Sequence, residues 1–74
     1  MTREKMKHLL RQADRYSADR YYRLAVLLRR RVRKALLDVL PMSYSGETRR
    51  LLLEASYGSL KEEIAYEAWV GIEG

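Results

Sequence analysis

The stretch RYYRLAVLLRRRVRKALLDVLP, running from Arg20 to Pro41, decides the fold class. Its apolar residues return every three or four positions, at Leu24, Leu28, Val32, Ala35, Leu36 and Val39, which is the spacing of a helix and not the alternation of a strand. Followed toward the N-terminus, the same phase runs through Tyr21, Ser17, Ala13, Leu10, Leu9 and Met6. Residues 2–40 therefore predict one long basic helix or two helices in succession. Ser17 followed by Ala18 and Asp19 is an acceptable start signal for a second helix, which would place a break near Asp14 to Ser17. The choice matters physically. A continuous helix would extend roughly 57 Å and need a second subunit along its apolar stripe, whereas a break permits a compact monomeric bundle.

Pro41 has no amide proton and restricts the residue before it, so the first half must stop near Leu40, and residues 41–46 read as a turn. Ser45 is a suitable cap for a helix from Gly46 to Tyr57, with Glu47 in its first turn and Gly58 as the C-terminal stop. Leu51, Leu52 and Ala55 form its inward face, leaving Arg49, Arg50 and Glu54 wet. Ser59-Leu60-Lys61-Glu62 then matches a reciprocal capping pattern, in which each side chain serves the other residue's amide. The helix that follows runs to about Val70, with Leu60, Ile64 and Ala68 as its inward stripe, widened by Ala65 and Trp69. The fold class predicted is all-α. Residues 1–74 make a single small domain, a three- or four-helix bundle ending in a helical hairpin.

Composition narrows the function classes. The 74 residues contain no Cys and one His, which excludes a disulfide framework and any thiolate or imidazole zinc site. No stretch approaches the roughly 20 apolar residues of a membrane helix. The charged start Met1-Thr2-Arg3-Glu4-Lys5 lacks a leader pattern, and a cytoplasmic location is expected. The net charge of +5 conceals an asymmetry. Residues 1–40 carry twelve Lys and Arg against Glu4, Asp14, Asp19 and Asp38, a balance of +8; residues 41–74 carry Arg49, Arg50 and Lys61 against six Glu, a balance of −3. Such a split steers a basic surface to an acidic partner, or is consumed when the acidic half folds back on the basic one or meets another subunit.

Catalysis finds no support in the residues. His8 lies opposite the apolar stripe, and there is no Cys nucleophile, glycine-rich phosphate loop or nucleophile elbow. No cofactor or metal is expected. The candidate surface is instead the Tyr16 to Lys34 segment, where Arg20-Tyr21-Tyr22-Arg23 interleaves guanidinium and aromatic groups and Arg29-Arg30-Arg31-Val32-Arg33-Lys34 concentrates positive charge. Tyr22, Val26 and Leu37 fall off the main apolar stripe and are expected to form a second seam for a partner or a twin subunit, unless a neighbouring helix simply covers them.

The function expected is that of a non-enzymatic protein-binding module: an inhibitor, adaptor, regulator or assembly subunit. Tyr21, Tyr22, Val26 and Leu37 would anchor it, while Arg23, Arg29, Arg30, Arg33 and Lys34 would face an acidic partner surface, with Tyr16 and Arg20 completing the partner-binding segment. The alternative is a nucleic-acid-binding protein whose Arg29 to Lys34 cluster grips phosphates. A helix-turn-helix mode around Gly58-Ser59 is disfavoured, because Glu62, Glu63 and Glu67 would repel phosphates. Self-association is a third expectation, since so short a chain builds only a modest core.

Overall fold

The computed structural model describes residues 1–39 and 45–73. It is all-helical among those residues and consistent with a small four-helix bundle: α1 (Arg3–Ala18), α2 (Tyr22–Val39), α3 (Gly46–Ser56) and α4 (Leu60–Glu73). Residues 41–44 of the expected turn lie outside the described residues.

The first half is two helices, and the break falls later than the residues suggested, at Asp19 to Tyr21. Ser17 does not start a helix. It sits in the last turn of α1, where its carbonyl accepts from the Arg20 amide at 3.1 Å, while the Tyr16 carbonyl accepts from the Tyr21 amide at 2.7 Å. Those two bonds close α1 with Arg20 in the left-handed region at φ 67. Tyr16 and Tyr21 clasp across the corner, ring centroids 6.3 Å apart and nearly perpendicular. The Tyr21 carbonyl then accepts the first bond of α2, from Ala25. A left-handed arginine costs about 1–2 kcal/mol that glycine avoids. Arg20→Gly is therefore expected to stabilise the fold by about 0.5–1 kcal/mol once glycine's larger unfolded-state entropy is subtracted. A thermal melt several degrees higher supports the corner as described; a lower one contradicts it.

Past the corner the expected stripe holds at Leu28, Val32, Ala35 and Leu36 but not at the start of α2. In α2 the buried residues are Ala25, Val26, Val32 and Leu36, with Leu28 and Ala35 half-buried. Leu24, expected inside, is exposed. Val26, expected on an outward seam, is interior. The core joins Met6, Leu9 and Leu10 of α1, Val32 and Leu36 of α2, and Leu51 and Ala55 of α3. Each of the other helices packs on α2, and α1 also touches α3.

The N-terminal caps form from short polar side chains. Thr2 accepts from the Lys5 amide and Ser45 from the Thr48 amide, each at 3.2 Å. Glu47, in the first turn of α3, reaches back to α1, pairing with Lys7 at 2.8 Å and Arg3 at 2.9 Å. The hydrogen bond and charge of Lys7, seconded by Arg3, hold the Glu47 carboxyl below its ordinary range. Its contribution is thus present above the ordinary carboxylate range and fades as pH falls through the lowered value, though water screens an exposed pair to little stability.

Gly58 acts otherwise than as a left-handed stop. Among the described residues no glycine has positive φ, and α3 ends one residue early, at Ser56, with Tyr57 extended. A Cβ on Gly58 would lie 2.7 Å from Oε2 of Glu62. The glycine clears room for that carboxylate.

Candidate interaction surface

Helix α4 is turned the opposite way from its apolar pattern. It contributes nothing to the hydrophobic core; Leu60, Ile64 and Ile72 are 75%, 60% and 83% exposed, and Ala68 is exposed as well. The side facing α2 is polar and aromatic.

Glu62 anchors it. Its Oε2 accepts from the Ser59 amide at 2.7 Å while the Ser59 hydroxyl accepts from the Glu62 amide at 3.1 Å, so the predicted capping pair forms. Its Oε1 accepts from Arg29 at 3.4 Å, and the residue is 0% exposed. The same guanidinium nitrogen of Arg29 reaches Asp14 of α1 at 2.9 Å. Arg29 is itself enclosed, with its side chain 12% exposed and its Nε buried without a protein partner. The next residue, Arg30, lies over the Tyr66 ring at 4.1 Å and pairs with Glu63 at 3.5 Å, with Glu67 at 4.0 Å. Arg23 stands 5.6 Å from the Trp69 ring centre, and Trp69 leans on Tyr66 at 5.9 Å. These pairings run α4 antiparallel to α2. An arginine's flat, weakly hydrated head suits both carboxylates and aromatic faces, which is why a polar helix side can dock here. The acidic half has folded back on the basic half.

No protein-family model matches the chain, and neither a curated protein nor a solved structure matches it. The geometry is what bears on function.

The residues expected to bind a partner are divided by this docking. Arg23, Arg29 and Arg30 face α4; Val26 is interior; Tyr16 and Tyr21 make the α1–α2 corner with Arg20 between them. Tyr22 is half-buried, and Arg33, Lys34 and Leu37 are exposed. What remains open on α2 is a strip that the sequence phase hid. Leu24, Leu27, Arg31, Lys34 and Asp38 follow one another at alternating steps of three and four, and all are exposed. Such steps place them on one side of the helix.

A groove of about 670 Å³ between α1 and α3 is less selective. Lys7, Arg11 and Arg50 line it against Asp14, Glu47 and Glu54, a balance that offers a charged ligand no preference. Among the described residues, no helix is long and apolar enough to cross a membrane.

Proposed function

We propose that the protein is a non-enzymatic binding module that engages an acidic protein surface through the open side of α2. The observation that carries this is the strip from Leu24 to Asp38, where two exposed leucines lead into Arg31 and Lys34, with exposed Leu37 next round the helix from Lys34. Leucines that lose water on docking supply affinity, and the basic residues supply steering and register. A cysteine-free chain with that surface suits an adaptor, inhibitor or regulator in the cytoplasm. Nucleic acid is the weaker ligand for this geometry. Arg23, Arg29 and Arg30 are taken up by α4, and the strip alternates charge with apolar groups instead of tracking a phosphate backbone.

The test compares the protein with two variants, Leu24→Ser/Leu27→Ser and Arg31→Glu/Lys34→Glu, in affinity capture at physiological salt with and without nuclease. The expected result is a protein partner with an acidic surface, retained after nuclease and lost from both variants. Captured material that nuclease removes, with binding that falls steeply as salt rises, would overturn the proposal in favour of phosphate contacts.

A further inference from the structure

Helix α4 is held by groups unlike those of the core. The apolar cluster joins α1, α2 and α3 without it. Toward α2, α4 presents Glu62, Glu63 and Glu67 to Arg29 and Arg30, and the Tyr66 and Trp69 rings to Arg30 and Arg23. Contacts of this kind part at less net cost than apolar ones, because each charge regains water. The Ser59 to Glu62 cap is internal to α4 and travels with it, and Arg29 keeps Asp14, so parting leaves neither the amide nor the guanidinium bare. Only Tyr57, Gly58 and Ser59 link α4 to α3, and Tyr57 is already extended. The helix can swing off α2 while α1, α2 and α3 stay packed.

The groups that α4 lends to α2 say what could replace it. Carboxylates and rings interleave in the order Glu62, Glu63, Tyr66, Glu67, Trp69. Glu63 and Glu67 meet Arg30 as phosphate oxygens would, while Tyr66 covers the same guanidinium as a base would. Arg23 and Arg30 are two turns apart, roughly 10 Å, the span of about three stacked nucleotides. Arg33, one turn beyond Arg29 and exposed, continues the same face. An acidic peptide answers the charges and leaves the arginine planes without rings; a duplex answers the charges and keeps its bases stacked inside. A single strand supplies both. We infer that α4 is a built-in competitor covering a single-stranded nucleic-acid site made by Arg23, Arg29, Arg30 and Arg33, and that a strand binds by displacing it. The site is separate from the Leu24 to Asp38 strip, whose Arg31 and Lys34 are open with α4 docked. While α4 is docked the site is masked, so the whole chain binds a strand weakly.

Fluorescence anisotropy of labelled oligothymidylate, titrated with the full chain at low salt, tests this. Tyr66→Ala/Trp69→Ala changes no charge, so a gain in affinity reports the uncovering of arginines; it should bind about tenfold tighter than the unaltered chain. Adding Arg23→Ala/Arg30→Ala should abolish that gain. Glu63→Gln/Glu67→Gln should also bind tighter, and by clearly more than Glu4→Gln/Asp19→Asn, which makes the same charge change outside α4. In the unaltered chain, saturation with oligothymidylate should erase the nuclear Overhauser contacts of Tyr66 with Arg30 and of Trp69 with Arg23. Four results overturn the inference: neither the ring pair nor the Glu63/Glu67 pair binds tighter; the two charge-neutralising pairs gain equally, which is net charge alone; the strand binds with the Tyr66 and Arg30 contacts intact; or polyglutamate or a duplex of matched charge displaces α4 as readily, which would make an acidic protein or duplex the competitor.

Discussion

Glu62→Ala lowers the stability of the folded chain by about 3 kcal/mol, read as a shifted midpoint in urea unfolding. The loss has identifiable sources. Removing the carboxylate orphans the Ser59 amide at the start of α4, which alone costs about 1 kcal/mol. It also strips Arg29 of its enclosed partner, leaving an arginine only 12% exposed with Asp14 as its remaining counter-charge. Asp14 is 70% exposed, so water weakens that pair, yet its presence holds the cost toward the lower end of the range for a broken buried ion pair. For a chain of this length the effect corresponds to a drop of roughly 10–20 °C in Tm. Glu62→Gln keeps a carbonyl for the Ser59 amide and loses only the charge, so it should cost clearly less. A loss below about 0.5 kcal/mol for Glu62→Ala, the level of an ordinary surface substitution, would mean that the carboxylate is hydrated and α4 does not dock as described.

Leu36→Ala costs about 3 kcal/mol, within the usual range for truncating a closely packed leucine. Leu36 is 2% exposed in the cluster where α1, α2 and α3 meet, and the neighbours on all sides belong to helices that cannot collapse independently into the space. The informative comparison is Ile64→Ala. By apolar periodicity both residues belong to inward stripes, but Ile64 loses only surface area, and at concentrations where the chain is monomeric its truncation should change stability by less than about 0.5 kcal/mol. Equal losses at the two positions would put the ridge of α4 inside the bundle.

That pair of residues shows where sequence reading stops. Helix existence was legible wherever the signal is local: the apolar period of 24–39, Ser45 before α3, and the Ser59 to Glu62 capping pair all correspond to observed elements or their boundaries. The inward face of α3 was legible too, with Leu51 and Ala55 buried and Leu52 against the core. The α1–α2 corner was not, because the left-handed position that glycine or asparagine would advertise is held by Arg20. Within α2 the expected stripe holds from Leu28 through Val32, Ala35 and Leu36, and fails in the turn beside the corner, where Leu24 is exposed and Val26 takes the buried one of its two readings. The orientation of α4 depends on two helices at once. Glu62 was recognisable as a capping residue, but its burial depends on Arg29, a residue of another helix that no local pattern brings to it. Charge asymmetry between the halves did point to folding back, and the Arg29, Arg30 and Arg23 contacts are its local form.

Helix α4 docks with its polar side in and its apolar side out, and side-chain nuclear Overhauser contacts in the isotopically labelled monomer test that arrangement most directly. Contacts are expected from the Tyr66 ring to the Arg30 side chain and from the Trp69 ring to Arg23, with no intramolecular contact between the Ile64 methyls and Val26, Val32 or Leu36. Contacts from Leu60 or Ile64 to those core residues, with Tyr66 and Trp69 free of the arginines, would contradict it.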